Sequence, residues 1–188
     1  MKDIVKAKPG LEAEFLKTAE KLGFTKIILS YNHEDAKKIT QESQENIKKQ
    51  TKIEVEFAIE GEKPKPKHFE QKILLGTKTK RLSKDATILL NNESEEEKDF
   101  THQRRSGLNH VILEEAKQKE IEIYAGLNQV LGRKNWEQTR ILGRMKQNLK
   151  LTKKKKINYE IISYAGKPEN MRKAKDIESL KRELEKNK

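Results

Sequence analysis

The chain has no cysteine, four prolines, one tryptophan and few aromatic residues of any kind, 5% in all. Without cysteine there is no disulfide, and no zinc site built on thiolates. Only 33% of the residues are hydrophobic, and no apolar run approaches the roughly 20 residues of a membrane-spanning helix. Charges fall within the first six residues with no apolar stretch among them, which is not a secretory pattern. The expected location is therefore the cytoplasm. A length of 188 residues suits one domain over residues 1–188, and the apolar residues cluster in short runs, which argues against general disorder.

Charge is what the chain has in quantity: 38% of residues are charged, and the net charge is +12. It is unevenly spread. Residues 1–100 hold 20 Lys+Arg against 19 Asp+Glu, whereas residues 101–188 hold 22 against 11, so +11 of the +12 belongs to the second part. A lopsided basic segment is the electrostatic footprint of a polyanion binder.

Short apolar runs mark the strands. Asp3-Ile4-Val5, Lys26–Ser30, Ile73-Leu74-Leu75, Thr87–Leu90, Glu120–Ala125 and Ile157–Tyr164 read as strands, mostly of the doubly buried kind. Ile53–Ile59 alternates apolar residues with Glu, which predicts a strand with one wet face. Helical spacing predicts helices over Leu11–Leu22, Leu108–Lys119 and Asp176–Lys186, a polar helix over Asp35–Gln50, and a long one from Trp136 to about Lys156 capped by Asn135. Lys63-Pro64-Lys65-Pro66-Lys67 predicts a turn, and Glu93–Asp99 an acidic loop. About seven short strands alternating with helices mean an α/β fold with a parallel sheet, either open or closed as a trimmed (β/α) barrel, since a full barrel takes about 250 residues.

Two stretches carry candidate chemistry. On a wheel of 100° per residue, Ile141, Leu142, Met145 and Leu149 share the core side of the long helix. Arg140, Arg144 and Gln147 fall roughly opposite, beside Trp136, and Lys146, Lys150 and Lys153 flank the core side. Guanidinium forks bind phosphates and an indole stacks on a base, so this face reads as a nucleic-acid surface. The second stretch is Arg104-Arg105-Ser106-Gly107-Leu108-Asn109-His110, between a strand and a helix and so at the carboxyl end of the sheet. Ser106 is the expected cap, Gly107 lets the backbone approach a ligand, and free amides with two arginines make an anion site.

The residues around these stretches resemble the archaeal ribonuclease P protein component 3 family, which has a eukaryotic counterpart. Three segments carry the resemblance. Arg105-Ser106-Gly107-Leu108-Asn109-His110-Val111-Ile112 is close to the family's Arg-x-Ser-Gly-Leu-Asp/Asn-His-Val, and Leu142-Gly143-Arg144-Met145-Lys146-Gln147-Asn148-Leu149-Lys150-Leu151 to its Met-Arg-x-Asn-Leu-Arg-Leu helix. Ile161–Gly166 and then Asn170-Met171-Arg172-Lys173-Ala174-Lys175-Asp176-Ile177 resemble its Ser-Gly-Ala strand end and Met-Arg-Ser-Pro-Arg-Asp-Leu. The match spans roughly residues 100–180; it departs at Ala174, where the family has Pro, and at Tyr164, where it has a small residue.

The resemblance implies a TIM-barrel-like fold related to the polymerase-and-histidinol-phosphatase hydrolases. It implies a protein subunit of ribonuclease P, the endonuclease that removes the 5′ leader from precursor tRNA. The chemistry then lies in the RNA subunit with its own Mg²⁺, and this chain binds no cofactor or metal. The implied partners are RNase P RNA, a ferredoxin-like protein subunit, the other protein subunits and, indirectly, precursor tRNA. Arg104, Arg105, Ser106, Gly107, Asn109, His110, Arg133, Trp136, Arg140, Arg144, Gln147, Lys150 and Arg172 are the candidate RNA contacts.

A stand-alone metal-dependent phosphoesterase of the same barrel class is the alternative, and a generic basic RNA binder a third. Such hydrolases need several His and Asp ligands, with a His-x-His near the first strand. The four histidines here, His33, His68, His102 and His110, make no such pair.

Overall fold

The computed structural model describes residues 1–61, 66–76, 82–94, 99 and 104–186. The apolar runs form seven strands: β1 (Lys2–Lys6), β2 (Lys26–Tyr31), β3 (Glu54–Glu60), β4 (Gln71–Leu75), β5 (Ile88–Leu90), β6 (Glu122–Gly126) and β7 (Tyr159–Ile162). They lie in one sheet in strict chain order, and every neighbouring pair is parallel. Parallel neighbours need crossovers, which helices supply over most of the sheet. These are α1 (Glu12–Lys21), α2 (His33–Ala36), α3 (Gln41–Lys48), α4 (His110–Gln118), α5 (Asn128–Leu131), α6 (Asn135–Lys155) and α7 (Ala174–Glu185).

The sheet curls until β7 meets β1, giving a nearly closed barrel of the trimmed TIM type. At the seam the Lys6 N–H donates to the Ala165 carbonyl at 2.9 Å. The Ser163 N–H instead finds the Asp3 Oδ1, at 2.7 Å. A side chain thus supplies an acceptor where a regular ladder would use backbone.

Alternation along each strand splits the core in two. Ile4, Ile28, Ala58, Ile73, Ile88, Leu90, Tyr124, Ile162 and Tyr164 fill the barrel interior. The residues between them, such as Val5, Ile27, Leu29, Phe57, Leu89 and Ile161, pack outward among the helices. This corrects the single wet face expected of residues 53–59. That face is the barrel interior, so Ala58 and Glu60 are buried, Glu56 is half-buried, and only Glu54 at the strand's start is exposed.

Three helix boundaries also differ from the sequence reading. Residues 35–50 form two helices, because Thr40 and Ser43 make a capping box that starts α3 afresh. Asn135 is the first residue of α6 and Lys134 takes the cap position, with no side-chain cap. The 108–119 helix begins at His110 because Asn109 Oδ1, not Ser106, accepts the Ile112 N–H, at 3.0 Å. Ala174 opens α7 at a position where proline is usually welcome, but its N–H donates to Leu22 O at 3.2 Å, a bond proline would lose. Lys63, Pro64 and Lys65 of the expected turn, and the middle of the acidic loop (95–98), lie outside the described residues.

Candidate nucleic-acid interface

The long helix α6 follows the predicted wheel on its inner side. Ile141, Met145 and Leu149 are buried, and Leu142 is half-buried against the same core. On the outer side Trp136 is exposed, as expected, and Lys150, expected at the edge of the core side, is exposed as well. The Arg140 guanidinium lies 5.0 Å from the centre of the Trp136 ring, one turn on. Arg133 pairs with Glu137 at 3.6 Å.

Arg144 overturns the expectation. It is wholly buried, among the largest fully buried side chains described. Its Nε donates to Asp99 Oδ1 at 2.8 Å and its Nη1 to the Glu93 carbonyl at 3.0 Å. On the wheel Arg144 lies on a flank of the outer arc, and Asp99 and the Glu93 carbonyl meet it there. An arginine enclosed in this way is tied into the fold and is not presented at the surface.

Gln147 and the Arg-Ser-Gly stretch are brought together, but mainly with each other. Gln147 Nε2 donates to Arg104 O at 2.9 Å and to Ser106 Oγ at 3.0 Å. Asn148 Nδ2, buried beside it, donates to Ser106 O at 2.9 Å. Ser106 is therefore a buried anchor of the loop to α6 rather than a helix cap. Gly107 has φ +76, and a Cβ there would stand 2.3 Å from Asn92 O. The close approach that requires glycine is to the protein's own backbone, not to a ligand.

Beneath this loop sits a carboxylate that the sequence reading missed. Glu93, fully buried, accepts from Tyr159 Oη at 2.5 Å, Asn148 Nδ2 at 2.6 Å and Gln129 Nε2 at 3.1 Å. Burial pushes its carboxyl up, against the pull of those three donors. Burial also acts to raise Asp99, but the Arg105 N–H at 2.9 Å and the Arg144 guanidinium outweigh it and hold its carboxyl below the usual range. The two acids that lie at the ends of the expected acidic loop thus tie α5, α6, β7 and residues 104–106 into one unit.

What remains outward is a narrower surface. Arg104, Asn109 and His110 are exposed, and Arg105 is half-buried. The Arg104 guanidinium lies across the middle of α6, filling the space a side chain at Gly143 would take: a Cβ there would be 1.5 Å from Arg104 Nη1. A glycine inside a helix costs about 0.5–1 kcal/mol against alanine, and the one here makes room for a guanidinium. That mid-helix glycine was the legible signal for this contact. Arg172 is elsewhere, after β7. Its N–H donates to Ser163 Oγ at 3.1 Å and its Nη1 turns back on the Asn170 and Met171 carbonyls. In the basic tail of α6, Lys155 pairs with Glu114 at 2.5 Å, while Lys153, Lys154 and Lys156 are exposed.

At the carboxyl end of the barrel interior, where enzymes of this fold place their sites, Glu60 Oε1 accepts from Ser30 Oγ and from Tyr164 Oη, both at 2.7 Å. Lys6 Nζ stands 4.0 Å from Glu60 Oε2. Among the described residues no three His, Asp or Glu side chains are grouped to hold a metal ion. His110 is exposed on the first turn of α4, His68 Nε2 is 2.9 Å from Ile39 O, and His102 lies outside the described residues.

No family model matches the chain, and no curated protein matches it in sequence. Among solved structures, a chain in a cryo-EM structure of archaeal Ribonuclease P with mature tRNA is similar to it, with a TM-score of 0.76 and 18% identity. The similarity covers 99% of this chain and 83% of that one. At that identity the likeness establishes the shared fold.

Proposed function

We propose that residues 1–188 are a single-domain protein subunit of ribonuclease P, of the component 3 type. The observation that carries the reading is a coincidence of two independent facts. The fold matches, along nearly its whole length, a chain in the archaeal Ribonuclease P structure with mature tRNA. The Arg-Ser-Gly-Leu-Asn-His and α6 motifs, which suggest the same family, pack directly on each other through Gln147 and Asn148.

On this reading the chain supports a catalytic RNA that cleaves precursor tRNA with its own Mg²⁺. The chain itself takes no cofactor and works in the cytoplasm with a ferredoxin-like protein subunit and the other protein subunits. The described residues include no helix long and apolar enough to cross a membrane. Arg104, Arg105, His110, Arg140, Lys150 and the exposed tail lysines supply phosphate contacts, with Trp136 beside them; Arg144, Ser106 and Gly107 act by holding that surface in shape.

The test is reconstitution on precursor tRNA with RNase P RNA, with and without this protein and its partner subunit. The expected result is that the proteins lower the Mg²⁺ requirement, because their cations replace metal ions around phosphates. Each phosphate neutralised on a duplex adds roughly 0.9 to the log–log salt slope, so RNA affinity should fall with a slope of about 3 or more. Cleavage by the protein free of RNA, or a slope near zero, would sink the reading.

A further inference from the structure

The outer arc of α6, exposed at Trp136 and Lys150 and half-buried between them, is more ordered than a general basic patch. Trp136, Arg140, Gly143, Gln147 and Lys150 are spaced four, three, four and three residues apart. At 100° per residue they fall within one arc of about 80°, and at 1.5 Å per residue the arc runs for about 21 Å. Trp136 is the most exposed large apolar side chain described, at 64%. Arg140 stacks against one side of its ring at 5.0 Å, and the Arg104 guanidinium lies on Gly143 one turn further along. The stripe therefore presents an indole, then two guanidinium groups from different parts of the chain, then an ammonium. Glu137 is the only acid on α6, and Arg133 already pairs with it.

We infer that this stripe is a track for an unpaired RNA segment, with Trp136 as the platform for one base and Arg140, Arg104 and Lys150 following the backbone. The inference rests on the RNA-binding reading above and narrows it to the kind of RNA bound. In a duplex the base faces are covered by their neighbours, so an indole standing out from a helix meets a base only where the strand is unstacked. The cationic groups beside the ring favour a polyanion over an apolar protein surface. Arg140 also holds the ring, so less freedom is lost when a base stacks on it.

Trp136 is the sole tryptophan, which makes its fluorescence a direct reporter of the site. The full chain is titrated at low salt with a single-stranded oligoribonucleotide and with a blunt duplex of the same length. The single strand should quench the emission, while the duplex binds through charge and leaves it unchanged. Trp136→Leu should weaken single-strand binding about tenfold with duplex binding unaltered, and Trp136→Phe should keep most of the affinity. Gly143→Ala gives a second signature. It displaces only the far end of the Arg104 side chain, so the melting temperature should hold or rise while single-strand affinity falls severalfold.

Equal, unquenched binding of both RNAs would overturn the track and leave the RNA-binding reading standing. Loss of binding to the partner protein subunit in Trp136→Leu, with RNA affinity intact, would overturn it in favour of a protein contact. Failure to bind either RNA at low salt would remove both readings together.

Discussion

Arg144 and Asp99 stand 45 positions apart in the chain, and their side chains meet at 2.8 Å with the guanidinium wholly buried. Removing one member of a buried pair leaves the other charge poorly compensated, which typically costs about 3–5 kcal/mol. Asp99 keeps some solvent access, so Arg144→Ala should cost somewhat less, about 2–4 kcal/mol, read as a lower urea midpoint. A variant that unfolds like wild type would mean that this arginine is dispensable to the fold.

Gly107→Ala should also destabilise the chain. It combines a left-handed backbone, costing roughly 1–2 kcal/mol for alanine, with a collision against the buried Asn92 carbonyl. The control is Gly132→Ala. There φ is −90 and the nearest atom to a new Cβ is 3.7 Å away, so its urea midpoint should match wild type. Equal midpoints for both variants would contradict the close approach at residue 107.

Asp3 gives a pH signature. Burial lifts its carboxyl to about 7, against hydrogen bonds from the Ser163 and Ile4 N–H groups. The unfolded chain releases this proton near the ordinary value of about 4. Between those values the folded state holds more protons than the unfolded one, so this group's contribution to stability falls as pH rises through the window. The Asn of Asp3→Asn still accepts the Ser163 N–H but does not titrate. Urea unfolding at pH 5 and pH 8 should therefore show wild type losing about 1–3 kcal/mol more than the variant over that interval. Parallel losses would show that the seam carboxylate does not titrate in that range.

The strands were readable because a barrel buries both faces of its sheet. Runs such as Ile27-Ile28-Leu29 and Leu89-Leu90 need no partner information to be recognised. The inner stripe of α6 and the exposure of Trp136 were readable for a similar reason, since both follow from the helix's own period. Arg144 was not. A wheel shows only how residues are arranged on one helix, and the groups that meet this flank, Asp99 and the Glu93 carbonyl, come from 45 and 51 residues earlier. The same gap hid Glu93, whose partners Asn148, Tyr159 and Gln129 come from three later elements. In the loop, the motif residues were the right ones for the wrong reason: Ser106 and Gly107 hold the loop to its own protein. Alternation also put the glutamates of β3 on one face, but it could not tell solvent from the interior of a barrel.

The seam has a consequence for how the molecule is put together. Six of the seven strand contacts join neighbours in the sequence, so each can form as soon as its crossover has been made. The seventh brings Asp3 to Ser163, 160 residues away. A growing chain on the ribosome therefore carries an unrolled sheet whose first strand keeps a bare edge until the last one emerges, and that edge is the part of the nascent protein most in need of shielding.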